Sequence, residues 1–229
     1  AALEQGVITE NTTIDDPGEI TIGEWVFPDW KNHGLVDVKK AIAVSCNVFF
    51  YAVGGGWDKI KGLGVEKIDE YLDKFGFGKK TGIDLPGESA GLIPSPSWKK
   101  EVKKEPWYIG DTYHLAIGQG DFLVTPLQLI NSISYIANGG KLYQPHVFFQ
   151  ETSNSGSLVK DYTSKIIKEN FIDPYRLEVV RQGMRQNVES GSGRQLADLS
   201  IPAAGKTGTA QFGNDDQTHA WFVTFAPYD

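Results

Sequence analysis

Two short clusters carry the side chains best suited to chemistry. Lys206-Thr207-Gly208 lies within a run of small residues, Ala203 to Ala210. Small residues in a strand let another backbone approach a sheet edge closely. The lysine adds a fixed positive charge, and Thr207 and Thr209 add hydroxyls, so this stretch suits a carboxylate-ended peptide. A surface lysine in a turn is the plainer reading of the tripeptide taken alone. Ser45-Cys46-Asn47 interrupts an apolar stretch, where a short polar loop can point into a cleft. A serine hydroxyl near a lysine can pass protons, and an asparagine can hold an amide with donor and acceptor together. The plainer reading here is a Ser/Asn cap between two helices.

The same lysine suggests a rival chemistry. Gly205-Lys206-Thr207 could end a phosphate-binding loop, G-x-x-x-x-G-K-[ST]. That motif needs glycine where this chain has Ser200, and a helix after the threonine where only Thr209 to Phe212 precede Gly213. His219 is a tempting base, but its place beside Ala220-Trp221-Phe222 favours a hydrogen-bonded structural role. The four histidines and single cysteine show no ligand spacing, so neither a metal nor an organic cofactor is expected.

Local patterns place these clusters on elements. Ala1 to Glu4 reads as a last helical turn stopped by Gly6. Ile20-Thr21-Ile22 and Trp25-Val26-Phe27 flank Gly23-Glu24 as a hairpin. Asp37 caps a helix from Val38, and VFFYAVGGG after the polar break is a second buried segment. Val65, Ile68, Leu72 and Phe75 share one helical face, ended by Gly76. Residues 82–106 read as loop, with Pro86, Pro94, Pro96 and Pro106. Thr125-Pro126 opens a helix with Leu127, Ile130, Ile133 and Ile136, and Asp173-Pro174 opens another with Leu177, Val180, Met184 and Val188. Strands are expected over 141–149 and 157–167, as a peripheral hairpin. SGSG at 190–193 reads as a linker before two final strands, which turn at Gly213 to Asp216.

Composition narrows the classes. The 229 residues are 40% hydrophobic and 22% charged, enough for a real core. A net charge of −7 without a Lys/Arg block makes nucleic acid a poor partner. The longest apolar run, Val48 to Val53, is far short of the roughly 18 residues of a membrane span.

Taken together, the residues resemble the transpeptidase domain of a class B penicillin-binding protein. That family carries S-x-x-K, then S-x-N, then K-T-G. Ser45-Cys46-Asn47 fits the second motif and Lys206-Thr207-Gly208 the third, 161 positions apart. AALEQGVIT, DWKNHGLVDVKKAIAVSCNVFFY, GIDLPGES, GLIPSPSWKK, AGKTGTAQ and HAWFVTFAPYD extend the likeness over nearly the whole chain. WYIGDT and AIGQGDFLVTPLQL look most like the elongation-type branch, penicillin-binding protein 2. No S-x-x-K precedes Ser45. Ser97-Trp98-Lys99-Lys100 and Ser157-Leu158-Val159-Lys160 match it, but one lies in the expected loop and the other in the peripheral hairpin. A nucleophile needs a fixed base, so both read as decoys.

The resemblance implies a mixed α+β fold of the β-lactamase/transpeptidase type: an antiparallel sheet flanked by helices, plus a mostly helical subdomain. The helical part with S-x-N would cover about 31–140, the hairpin 141–168, and the K-T-G helix and strands 173–229. The sheet would be incomplete here, and the nucleophile motif would lie just upstream of AALEQG. The implied activity is peptidoglycan D,D-transpeptidation, with this fragment inactive alone. Ser45 would relay a proton, Asn47 would hold the substrate amide, and Lys206 would supply positive potential. Thr207, Gly208 and Thr209 would bind substrate, with the Thr209 N–H as an oxyanion donor. Implied partners are peptidoglycan stem peptides, β-lactams and cell-elongation proteins, with a membrane anchor upstream and the domain outside the bacterial cytoplasm. The remaining alternatives are a non-catalytic binding module of the same fold and a serine β-lactamase.

Overall fold

The computed structural model describes residues 1–213 and 217–228. The chain starts with a helical turn in which Gln5 N donates to Ala1 O at 2.9 Å, and Gly6 leaves it at φ +68°. Four short strands follow: β1 (Ile14–Asp16), β2 (Glu19–Ile22), β3 (Trp25–Pro28) and β4 (Gly34–Val36). β2 and β3 form the expected hairpin, with Ile22 opposite Trp25. Its turn needs the positive φ of +60° that Gly23 supplies. β1 and β4 pair around its base, which the sequence reading missed because three-residue strands carry no alternation to read.

α1 (Val38–Val44) begins as expected at Asp37, whose Oδ1 accepts the Lys40 N–H at 2.8 Å. α2 (Asn47–Gly55) follows after a two-residue break and is buried almost all round; Val48, Phe49 and Ala52 are fully inaccessible. Each such large apolar side chain contributes about 1.5–3 kcal/mol relative to exposure. α3 (Val65–Lys74) forms where expected, but the side chain it buries is Tyr71, while Val65, Ile68 and Leu72 of the expected face are half-buried.

The region read as loop holds α4 (Pro96–Val102), a correction: Ser95 Oγ accepts the Trp98 N–H at 3.2 Å, with Pro96 at the first helical position. Here proline starts a helix rather than breaking one. α5 (Ile109–Ala116), also unforeseen, starts where Asp111 Oδ2 accepts the Tyr108 N–H at 2.7 Å. It packs on α2 so closely that a Cβ on Gly54 would lie 2.4 Å from the Ala116 Cβ. α6 (Pro126–Ala137) carries a reciprocal Thr125–Gln128 cap, and it buries Gln128, Ser132 and Tyr135 while Ile130 is exposed.

Beyond α6 the excursion is two nested antiparallel pairs rather than one long hairpin. β5 (Lys141–Tyr143) and β6 (Gln150–Thr152) go out, and β7 (Leu158–Asp161) and β8 (Ile166–Glu169) return. β5 pairs with β8 and β6 with β7, each with a register shift. α7 (Pro174–Ser190) starts at Asp173, whose Oδ1 accepts from the Tyr175 and Arg176 amides. It crosses α1 where Gly183 meets Ile42; a Cβ there would lie 2.9 Å from the Ile42 Cδ1. After a single 3-10 turn at Arg194–Leu196, β9 (Ala204–Phe212) and β10 (Gln217–Phe225) form a continuous antiparallel ladder. Residues 214–216 of the expected turn lie outside the described residues. Every strand pair among the described residues is antiparallel.

Candidate active site

The break between α1 and α2 is strained and braced. Ser45 ends α1 in the left-handed region at φ 60°, ψ 49°. For a residue with a Cβ this costs roughly 1–2 kcal/mol. The brace is Trp30, whose indole Nε1 lies 3.2 Å from both the Val44 and Ser45 carbonyl oxygens. Asp29 fixes the next step: its Oδ1 accepts the Trp30 N–H at 2.7 Å and its Oδ2 the Val48 N–H at 3.0 Å, at the first turn of α2. Asn47 Nδ2 reaches the Pro28 carbonyl at 3.4 Å.

β9 brings the second cluster to this break. The Lys206 Nζ donates to the Ser45 Oγ at 2.8 Å and to the Thr207 carbonyl at 2.6 Å. A groove of about 670 Å³ opens beside them, lined by Ser45, Asn47, Lys206, Thr207, Gly208 and Thr209. All six predicted site residues therefore share one opening. Burial pushes the Lys206 ammonium down to about 8. Its two acceptors are neutral, so the groove holds a cation ready for an anionic ligand.

Sequence reading missed four groove or support residues. Trp30, 62% exposed, forms part of the groove wall. Gln119, in the AIGQG loop, donates from Nε2 to the Thr209 carbonyl at 3.2 Å and ties that loop to β9. Ser192, from the stretch read as a linker, lines the groove and hydrogen-bonds through its Oγ to the Thr207 Oγ1. Asn187, fully buried on α7, donates to the Ser192 Oγ at 2.8 Å. The signal for the first two was their place in the family-like text; nothing local marked the others.

The competing readings fall to geometry. Gly205, Lys206 and Thr207 all lie inside β9, so no helix follows the threonine and the phosphate-loop reading fails. His219 stacks on Phe212 with ring centroids 4.1 Å apart, is exposed, and does not line the groove. Ser97 and Lys100 lie on helix α4 rather than on a loop, yet the Ser97 Oγ faces the Ser95 Oγ at 3.0 Å and neither residue lines the groove. Ser157 sits on the exposed β6–β7 turn.

One cluster of possible ligand atoms was not visible in the sequence. Asp16, Asp29, His33 and Cys46 each offer a ligand atom, and the four atoms lie within 4.8 Å of one another. The His33 Nδ1 is 2.6 Å from the Asp16 Oδ2, and the Cys46 Sγ–H points to that same oxygen at 3.4 Å. Burial pushes the Cys46 thiol far above its ordinary range. In this state it is a neutral donor to a carboxylate; deprotonated, the O/O/N/S set suits a zinc-like cation. Positions 16, 29, 33 and 46 have no recognisable metal spacing, so only the folded chain assembles them.

Comparisons with known proteins agree with the geometry. The model of the family described as "Penicillin binding protein transpeptidase domain" matches residues 1–229. Among curated relatives, the peptidoglycan D,D-transpeptidase MrdA of Acinetobacter baumannii is 35% identical over 245 residues, covering 99% of this chain and 35% of that protein. The MrdA of Escherichia coli K12 is 33% identical over 250 residues, covering 100% of this chain and 38% of that protein. Among solved structures, Pseudomonas aeruginosa PBP2 in complex with WCK 5153 matches with a TM-score of 0.83 and 31% identity, over 99% of this chain and 50% of the other. Helicobacter pylori PBP2, solved in complex with MreC, gives 0.81 and 36%, over 99% of this chain and 42% of the other. The fold is thus that of penicillin-binding transpeptidase domains, and the chain spans little more than a third of the curated relatives' length.

Proposed function

This chain belongs to the penicillin-binding protein transpeptidase family, and from that premise we propose that its groove is the substrate side of a peptidoglycan D,D-transpeptidase. The observation that carries the reading is the Lys206 Nζ–Ser45 Oγ hydrogen bond, which joins the second and third motifs in one opening.

In this reaction a serine oxygen attacks the penultimate D-Ala carbonyl carbon of a stem peptide. The C–N bond breaks, the nitrogen takes up a proton, and D-Ala leaves. The resulting ester is resolved by an amine of a neighbouring stem, which returns the proton to the serine and forms the cross-link. In this family the attacking serine stands in an S-x-x-K motif, and neither S-x-x-K match within residues 1–229 lines the groove. Ser45 passes the proton toward the leaving nitrogen, ordered by Lys206. Asn47 holds the stem amide. Thr207 and Thr209 receive the terminal carboxylate under the positive potential of Lys206, and Gly208 leaves room for the ligand backbone. The Thr209 N–H is one oxyanion donor, an interaction worth about 10²–10³ in rate.

Residues 31–140 form the helical part, 141–168 the excursion, and 173–229 the K-T-G part. The parent acts at the bacterial envelope, outside the cytoplasm. β-Lactams acylate the same serine. Its partners are elongation-machinery proteins, a reading supported by the Helicobacter pylori relative solved with MreC.

The test is labelling with fluorescent penicillin. The full-length gene product should form a stoichiometric adduct, lost in its Lys206→Ala variant, while residues 1–229 alone should form none. Absence of any adduct in the full-length protein would overturn the reading, as would an adduct at Ser97 or Ser157.

A further inference from the structure

Asn187 is fully buried near the end of α7, beneath the groove. Its Nδ2 donates to the Ala43 carbonyl at 2.6 Å and to the Ser192 Oγ at 2.8 Å. Its Oδ1 is buried with no hydrogen-bond partner among the described residues. Exchanging the two amide atoms would set Oδ1 against the Ala43 carbonyl, acceptor to acceptor, so the orientation is fixed by that carbonyl. Both donors of the amide are then spent, one on Ala43 and one on Ser192.

Either hydroxyl could donate in the Ser192–Thr207 bond, and the Asn187 bond favours Ser192 as the donor. The Ser192 Oγ accepts from Asn187, and its own proton needs an acceptor. The Thr207 Oγ1 lies within hydrogen-bond distance. A hydroxyl has one proton. With its oxygen already receiving the Ser192 proton, Thr207 has its own left to donate, and Thr207 lines the groove. The segment carrying Ser192 is held tightly: the Ser192 N–H donates to Ala43 O at 3.2 Å and the Gly193 N–H to Asn187 O at 3.1 Å. A Cβ on Gly193 would lie 2.4 Å from the Asn187 Oδ1, and one on Gly191 2.1 Å from Ala43 O.

We infer that Asn187 and Ser192 are positioning residues that polarise a one-way hydrogen-bond chain, Asn187 to Ser192 to Thr207, so that the Thr207 hydroxyl faces the groove as a donor reserved for a ligand carboxylate. The chain deepens the reading above and rests on it. It also ties the backbone two residues before Ser45 to the K-T-G strand, so the two motifs are set by one buried amide.

The experiment compares acylation of the full-length gene product by a β-lactam and by the methyl ester of the same compound. The free acid needs the Thr207 donor as a charge-assisted partner; the ester does so far less. Ser192→Ala should lower the acid-to-ester rate ratio about fivefold, and Ser192→Thr, which keeps the hydroxyl, should retain it. Asn187→Ala, which is liable to unfold, is read only through the same ratio in folded protein. An unchanged ratio in Ser192→Ala, an equal fall for acid and ester, or a Ser192→Thr as poor as alanine would each overturn the inference. Wild-type protein that is acylated by neither compound overturns the transpeptidase reading itself, and the inference with it.

Discussion

The Lys206 ammonium sits 2.8 Å from the Ser45 hydroxyl, across 161 residues of sequence. Around that bond the chain places a strained helix end on one side and a flat strand of small residues on the other. Each cluster has an ordinary explanation alone; their convergence is what the proposed catalytic reading rests on. Lys206 is half-buried with neutral acceptors only, so an incoming carboxylate would stabilise its charged form.

Replacing Lys206 with methionine should therefore separate function from stability. Penicillin acylation of the full-length protein should fall by about 100-fold or more, since a preorganised charge at the reacting centre is lost. The melting temperature should hold or rise, because a buried charge has been removed. Parallel acylation and thermal melts decide it; loss of both together would mean that Lys206 is structural.

The pH dependence of stability follows from the same group. The Lys206 amine falls from 10.5 when unfolded to about 8 when folded. Between those values the unfolded chain binds more protons, so stability should rise with pH across that window, while the full penalty stands below about pH 8. The whole effect is on the order of 3 kcal/mol. Urea melts of wild type and Lys206→Met should differ most below pH 8 and converge toward pH 10.5. A constant gap would contradict it.

Trp30 should matter through its indole N–H. Trp30→Phe keeps an aromatic wall but frees the Val44 and Ser45 carbonyls, losing about 1 kcal/mol of restraint on the left-handed Ser45. Acylation should slow by about three- to tenfold with little change in melting temperature. Equal rates would show that Ser45 holds its conformation unaided.

Two glycines test the packing around the site. Gly191→Ala would drive a Cβ to 2.1 Å from the Ala43 carbonyl oxygen, so it should cost about 2 kcal/mol or more. Gly6→Ala meets nothing within 4 Å but keeps φ at +68°, so only the backbone cost of about 1 kcal/mol remains. Chemical denaturation of both variants should rank them in that order.

Zinc should raise the melting temperature if Asp16, Asp29, His33 and Cys46 close on it, and more so at higher pH, because the Cys46 thiol must lose its proton to bind. Cys46→Ala should abolish the shift. No shift in wild type at pH 8 would leave the four residues as a buried hydrogen-bonded cluster.

Much of the local structure was legible because its causes are local. Asp37, Thr125-Pro126 and Asp173-Pro174 start helices by bonds that reach at most three residues along the chain, and Gly23 permits the hairpin turn by its own backbone freedom. Ser95-Pro96 works the same way and was misread only because the neighbouring prolines spoke for loop. The types of the motif residues, and so the class of chemistry, were also written in the chain. What no local pattern holds is which distant groups meet. Lys206 reaches Ser45 because α1 and α7 cross on Gly183, Ser192 reaches Thr207 because a buried amide and two glycines pin its segment, and four scattered ligand atoms converge because β1 and α2 pack on one core. Those distances are products of long-range close packing, in which a methyl group more or less moves the answer, and only the folded chain carries that information.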